Sequence, residues 1–583
     1  MEEDIKNNDY QVLKRVISLA KPYTFLYWIS IFLSLLLAIV NAIRPIFVEK
    51  AIDIAIDSYN YNKVAFYSLI VLLLIVLASS LRYFFIYLSR KLGQSVVKDL
   101  RVKMFKHVLN LRLSYFDKTP IGTAITRTIN DVETINSIFT QGIIQIVADV
   151  STIIFILVLM FYNSTSMALM SISTLPILLF VSYIFKNKVK VTFQKVREKV
   201  SELNAFLQEH ITGMKIVQIF GVEKQEYEKY KAINQAHTDA NVETIWYYSL
   251  FFPAVEILQS IAVGFMVWMG AKYMINGNEE ITIGLVISYV LWINMLFRPI
   301  RFLTERFNTV QMGLVAAERV FALIDYDYKI DNNGTIADHK MKGEIEFQAV
   351  NFSYTEEREI LKNISFEINQ GETLAIVGST GSGKSTIINL LSKLYPINSG
   401  SIKIDDIDIN DFEIGFLRKQ ICTVLQDVFL FSGTIEDNIR ILDKTISLEK
   451  IKETAALIGA DTFIEKLPNK YQYEVMERGA TLSLGQRQLI SFVRVLVQNP
   501  SILVLDEATS SVDTETEEIV QNAIDKMIKD RTSIIIAHRL STIQNADKIL
   551  VLKNGTIIEY GSKEQLLELN GFFKELYLNQ YKQ

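Results

Sequence analysis

The sequence predicts a multidomain membrane protein in which an all-α domain of six membrane-spanning helices is fused to an α/β domain built around a phosphate-binding loop. Three observations carry that prediction. The 583 residues are too many for one hydrophobic core, and a mean hydropathy of +0.23 is high for a chain that never enters a membrane. Long uncharged apolar stretches fill the N-terminal half, while charged and apolar residues mix in the C-terminal half. The C-terminal half also contains "GSTGSGKS" between an apolar strand pattern and a helix pattern.

Tyr23 to Ile43 and Val64 to Leu81 carry no charge, and each approaches the roughly 20 residues that cross a bilayer as helix, which makes them spans one and two. Val150 to Phe185 is also uncharged but too long for one crossing. The polar "NSTS" at Asn163 to Ser166 divides it into spans three and four. Thr244 to Ile275 and Ile281 to Phe297, separated by "NGNEE", give spans five and six.

Lysine and arginine concentrate after span two, from Arg82 to Arg112, and after span four, at Lys186, Lys188 and Lys190, so both segments belong inside. The loops "VEKAIDIAIDSYNYNK", "NSTS" and "NGNEE" then lie outside, and both termini are cytoplasmic on a multi-pass protein of the cell membrane. The two inside segments read as helices continuing past the bilayer. Interruptions at Ser114 to Thr123 and around Gly221 suggest a short helix at each tip, packed on something in the cytosol. Residues 1–22 read as an amphipathic segment on the inner membrane surface, stopped at Pro22.

Ionisable residues within spans are costly, so Asp149 and Glu256, with Gln145 and Gln259 one turn away, are candidates for a substrate path. Their charge favours a cationic or polar group on whatever passes. The alternative is that both sit at a bilayer edge or pair with Arg44, Arg82 or Arg298. The one cysteine, Cys422, reads as a small buried hydrophobe. Nothing in the charge balance suggests binding to nucleic acid.

The membrane domain covers residues 1–325, a polar linker 326–343, and the second domain 344–583. In the loop motif, Gly378, Ser379, Thr380, Gly381, Ser382 and Gly383 let backbone N–H groups curl around phosphates at a helix start. Lys384 reaches the terminal phosphates, Ser385 ligates Mg2+, and Thr386 follows in the first turn. The strand "ILVLD" ends in paired acids, with Asp506 placed for the metal and Glu507 for polarising water. His538 ends another strand at the same sheet edge, where a neutral imidazole can sense the terminal phosphate.

These elements specify a nucleotide triphosphatase without saying which. "LSLGQRQL" at Leu482 to Leu489 resembles the LSGGQ signature of ATP-binding-cassette (ABC) proteins, and the resemblance extends over the whole chain to the exporter-type half-transporters of the multidrug and lipid-flippase group. Within it, Tyr354 matches the aromatic that stacks on adenine and Gln426 the glutamine that reaches catalytic water and metal. "EVMERG" at Glu474 to Gly479 resembles the exporter loop before the signature, "SSVD" ending at Asp513 the D-loop, and "FDKTPIGTAITRTINDV" the first coupling segment.

The resemblance implies ATP and Mg2+ as ligands, with Ser483, Gly485 and Gln486 contributed across a dimer to the partner's phosphate. It implies ATP-driven export or flipping of amphipathic small molecules, lipids or peptides across the lipid bilayer. The signal from phosphate to membrane then runs through Gln426 and "EVMERG". Leu484 departs from the pattern, since glycine is usual there; it adds bulk beside the nucleotide. With Glu507 intact, the chain resembles the glutamate-retaining half of a heterodimer, while the retained Ser483, Gly485 and Gln486 leave a homodimer equally open. An importer with the same fold and a non-pumping ATP-regulated membrane protein are the alternatives.

Overall fold

Every apolar stretch forms a helix, and most of these helices run well beyond the length that hydrocarbon requires. The computed structural model describes residues 2–57, 59–276, 280–326, 330, 332–355, 358–441, 443–506, 514–537 and 543–581. The chain divides into two units, one of residues 1–109 and 121–327, the other of residues 110–120 and 328–583.

In the first unit, α1 spans Glu2–Ser18, α2 Thr24–Asp57 and α3 Tyr61–Leu109. The hexaresidue helix α4, Leu113–Lys118, belongs to the second unit. Helix α5 runs Ile121–Asn163 with π-helical turns at Arg127–Asp131 and Ile138–Ile143, and α6 runs Thr165–Thr212. Then come α7 (Met214–Ile219), α8 (Glu223–Ile275) and α9 (Ile283–Ile324). Six of these, α2, α3, α5, α6, α8 and α9, are long and apolar enough to cross a membrane.

The division between spans three and four falls inside "NSTS", as expected. Ser164 is extended and its Oγ accepts from the Met167 N–H, so one residue ends α5 and caps α6. The second expected interruption is α7, which precedes Gly221; "EKQEYEKY" already lies in α8. Two expectations need correction. "VEKAIDIAID" is helix through Asp57, because the Asp53 carboxylate accepts from the Gly284 N–H (2.8 Å) and the Thr282 hydroxyl (2.7 Å), capping α9 and holding that last part of α2 against it. The N-terminal segment does not lie free for a membrane surface either. Val16 and Ala20 are buried, and Arg15 forms a bidentate pair with Asp325 while stacking 4.1 Å above the Phe321 ring at the end of α9.

The core of this unit centres on α9. Trp292 and Tyr289 are fully buried, and each satisfies its polar atom on a neighbouring backbone: Trp292 Nε1 donates to the Ala42 carbonyl (2.8 Å) and Tyr289 Oη to that of Met160 (2.5 Å).

The second unit holds a four-stranded antiparallel sheet of order β2-β1-β4-β5 and a six-stranded sheet of order β12-β11-β3-β10-β9-β6. The first comprises β1 (Ile345–Thr355), β2 (Arg358–Ile368), β4 (Ser399–Ile404) and β5 (Ile407–Asp408). The second comprises β3 (Thr373–Gly378), β6 (Ile421–Val424), β9 (Ile502–Asp506), β10 (Thr532–Ile536), β11 (Lys548–Lys553) and antiparallel β12 (Thr556–Gly561). Its five other strands run parallel. A parallel sheet is covered on both faces, which is why β9 and β10 read as continuous apolar runs and are almost wholly buried.

Candidate active site

The phosphate loop leaves the C-terminal end of β3 and enters α10, Lys384–Leu391. Gly383 sits at φ +107° as the residue before the helix, and a Cβ there would meet Leu361 Cδ2 at 2.6 Å. Gly378 is as restricted, since a Cβ would lie 2.2 Å from the Leu552 carbonyl oxygen. Only glycine lets the backbone turn this tightly against the neighbouring strand. Lys384 is buried, and its ammonium donates to the carbonyls of Gly378 (2.8 Å) and Ser379 (3.2 Å), which holds the charge over the loop. Ser382 is 2% exposed, and its Oγ has no hydrogen-bond partner. A buried orphan hydroxyl inside a ring of backbone amides is a place for an anion's oxygens. Ser385 is exposed in the first turn, and Thr386 is buried.

The strand order brings the other expected groups to the same edge. Asp506 ends β9 and pairs in register with Ile536 of β10, whose other neighbour is β3. Glu507, Asp513 and His538 lie outside the described residues. Gln426 stands two residues after the end of β6 and is exposed. Tyr354 ends up beside the loop helix: its hydroxyl donates to Thr386 Oγ1 and accepts from Asn389 Nδ2, both at 3.3 Å, leaving the ring 39% exposed. The ring meets Tyr395 edge-on at 5.0 Å, and the Tyr395 hydroxyl donates to the Asp117 carboxylate on α4. Burial and the adjacent carboxylate push that phenol above its usual range. These residues border a cleft of about 700 Å³ with Arg112 and Lys118.

The signature sequence opens α11, Leu484–Leu496. Ser483 is its N-cap in a reciprocal capping box with Gln486: Gln486 N–H donates to Ser483 Oγ (3.3 Å) and Ser483 N–H to Gln486 Oε1 (3.0 Å). Leu484 occupies the first helical position with helical backbone, half-exposed, so the glycine usual there is not required by conformation. Arg487 donates to the Arg478 carbonyl (3.1 Å), fastening "EVMERG" to this helix. The same loop forms β8 (Glu474–Val475), which pairs with β7 (Gly433–Thr434) downstream of Gln426.

Arg494 and Asn438 escaped the sequence reading. The guanidinium donates to the carbonyls of Asn438 (2.8 Å) and Phe429 (3.1 Å), and Asn438 brackets Phe431 through both its amide and its carbonyl oxygen. Burial lowers the Arg494 pKa to about 10, still charged at neutral pH. A lone arginine in "LISFVRVL" was the available signal. Cys422 lies on β6, half-buried, and burial raises its thiol to about 11.

The two candidate substrate-path residues do not come together. Asp149 is half-buried, accepts from Gln145 Nε2 (2.9 Å), and faces Arg306 at 3.8 Å within a cavity of the membrane unit. Glu256 is exposed on α8, outside the lining of that cavity, and Gln259 instead donates to Asn294 (2.5 Å).

Comparison with known proteins decides the family. Residues 27–300 match the ABC transporter transmembrane region and residues 361–510 the ABC transporter ATPase family. The chain is 39% identical over 570 residues, 97% of its length and 94% of the other's, to the uncharacterized ABC transporter ATP-binding protein YknV of Bacillus subtilis. The chain belongs to the ABC transporters. Two further relatives of this ABC transporter are the putative multidrug export ATP-binding/permease protein YgaD of Bacillus subtilis, 33% identical over 97% of this chain and 99% of the other, and the ATP-dependent lipid A-core flippase of Desulfotalea psychrophila, 34% identical over the same shares. The ABC transporter is thus a type I exporter-type half, six apolar helices followed by an ATP-binding α/β domain, and ATP drives transport. A half of this kind dimerises in a membrane.

Proposed function

We propose that two copies of this chain export or flip amphipathic compounds, drugs, lipids or peptides, by alternating access driven by closure of their ATPase domains around ATP. The observation that carries this reading is the intact capping box at Ser483 and Gln486, which leaves the signature helix start open toward a phosphate that the same domain's Lys384 cannot share from the opposite side. A second copy brings the two halves together. Because Leu484 sits in ordinary helical geometry, the partner need not be a different half-transporter with a regular signature.

Within each site, Lys384 and the loop amides hold the terminal phosphates, Glu507 orients the attacking water, and His538 contacts the transferred phosphate. Ser385, Gln426 and Asp506 offer hydroxyl, amide and carboxylate oxygens, a hard-donor set suited to Mg2+, which supplies charge neutralisation at the phosphates when bound. The segment that follows Gln426 is tied to the signature helix through the strand pair Gly433–Val475 and through Arg487. That chain of contacts supports a signal passing between hydrolysis and the "EVMERG" loop. Tyr354 presents its exposed face to adenine. Both termini lie in the cytosol of a cell whose plasma membrane holds the spans, and Asp513 reaches across the dimer axis.

The test is ATPase activity of the chain purified alone in nanodiscs, beside Glu507→Gln. Turnover abolished by the substitution, from particles holding two copies, is the expected result. An inactive folded chain rescued only by a different half-transporter would replace the homodimer by a heterodimer.

A further inference from the structure

We propose that the arginine-lined cavity of the membrane unit binds amphipathic molecules bearing an anionic phosphate or carboxylate group; the inference rests on the export reading and names its substrate class. The cavity, about 640 Å³, is enclosed by α2, α3, α5 and α9. Arg44, Arg82, Arg298 and Arg306 line it against only Asp149 and Glu305, so cations outnumber anions four to two. Charge facing the interior of a membrane bundle marks what the bundle handles.

The pairing inventory says which sign is spare. Asp149 is already engaged by the Gln145 amide and by Arg306, so it positions a guanidinium and does not wait for a cation. Arg306 Nε is buried without a hydrogen-bond partner, and neither Arg44 nor Arg82 forms a hydrogen bond or ion pair among the described residues. Besides the one exposed carboxylate of Glu305, the unused charged capacity is donor. Guanidinium forks match carboxylate and phosphate oxygens two at a time, which an ammonium does not. Leu37, Ile75, Phe85 and Phe302 supply apolar wall beside the arginines, so the ligand carries a hydrocarbon part next to its charged one. A second cavity of about 560 Å³ adjoins through Phe85, Ile86, Gln145 and Arg306 and is lined by Arg90 and by uncharged polar groups such as Asn136 and Gln141. It offers a charged headgroup a wet approach.

This balance is opposite to the cationic group that Asp149 and Glu256 alone suggest. The experiment uses the full chain in nanodiscs of zwitterionic phosphatidylcholine without nucleotide, with a fluorescent short-chain phosphatidic acid as probe. Unlabelled phosphatidic acid and dodecanoate are expected to displace it at concentrations about tenfold or more below those needed for dodecyltrimethylammonium. Combined Arg82→Gln and Arg298→Gln should weaken probe binding about tenfold or more, and Arg82→Lys, which keeps charge and loses the fork, should weaken it less. Equal or better displacement by the cationic amphiphile, or unchanged binding to the double variant, would overturn the proposal. Displacement by inorganic phosphate as strong as by the lipid would overturn the amphipathic class in favour of the free anion. The export reading fails separately, if the bound probe is not moved by ATP in proteoliposomes any faster by the parent chain than by Glu507→Gln.

Discussion

The hydroxyl of Tyr395 donates to the carboxylate of Asp117, joining the turn after α10 to the short helix α4 that interrupts the long helices. Tyr395 also meets Tyr354 edge-on, and Tyr354 touches Thr386 in the first turn after the phosphate loop. The phosphate loop and α4, proposed as the coupling segment, are thus linked by two rings. Tyr395→Phe keeps the ring contact and removes one hydrogen bond to a charged group, worth about 1.5–3 kcal/mol in general and least where solvent reaches it. ATP affinity is expected to stay within about twofold, while substrate moved per ATP hydrolysed falls about tenfold. Parallel transport and hydrolysis assays on one preparation measure that ratio, and an unchanged ratio would remove this route from coupling.

Ser382 gives a prediction about stability in which resting and nucleotide-bound protein respond differently. Its hydroxyl is buried and unpartnered, so Ser382→Ala deletes an unsatisfied group and costs the nucleotide-free protein nothing. The loss should appear only on binding, as a Kd for ATP weakened by about tenfold, the usual size for one hydrogen bond to a charged acceptor. Thermal unfolding with and without ATP separates the two. A lower Tm without ATP and an unchanged Kd would mean that the hydroxyl serves the fold.

His210 and Glu226 staple the α6–α7–α8 elbow. The imidazole faces the Phe206 carbonyl through Nδ1 and Glu226 through Nε2, both at 2.8 Å, and both partners are acceptors. Only imidazolium satisfies both, so the Phe206 carbonyl and then Glu226 raise the His210 pKa. Lys229 and then His210 lower that of Glu226. A raised histidine contributes stability that is complete below its unfolded value of about 6.5 and is lost as pH rises through the folded value. The depressed glutamate works the other way, its share being lost as pH falls through its folded value. Hydrogen exchange of the Met214–Ile219 amides should therefore accelerate between about pH 6 and 8 beyond the intrinsic rise. In His210→Gln that excess should vanish; an identical excess in the variant would assign the change elsewhere.

Much of the fold was legible because bilayer length and uncharged composition are strong constraints. The turn at Ser164 and the loop between β3 and α10 fell where "NSTS" and "GSTGSGKS" put them. What sequence order hid were contacts between distant residues. Nothing near Asp53 announces that it caps a helix more than two hundred residues later, so "VEKAIDIAID" looked like loop. Arg15 was assigned to a membrane surface because its partner, Asp325, lies at the other end of the unit. Asp149 had the spacing of a substrate contact, yet only the folded bundle surrounds it with arginines.

Leu484 supplies the sharpest separation between folding and function. At the first position of α11, with Ser483 capping, leucine is the better helix residue; glycine there loses more backbone freedom and costs about 0.5–1 kcal/mol. Leu484→Gly should therefore lower the Tm of the ATPase transition by about 1–4 °C. In the proposed dimer, however, this helix start faces a partner's phosphate, so removing the half-exposed side chain should relieve crowding at closure. We expect kcat for ATP to rise about threefold, a barrier change of less than about 1 kcal/mol, while the protein becomes slightly less stable. A fall in Tm without a rise in kcat would mean that this leucine fits the closed dimer as well as glycine does, and that the departure from the signature leaves hydrolysis untouched.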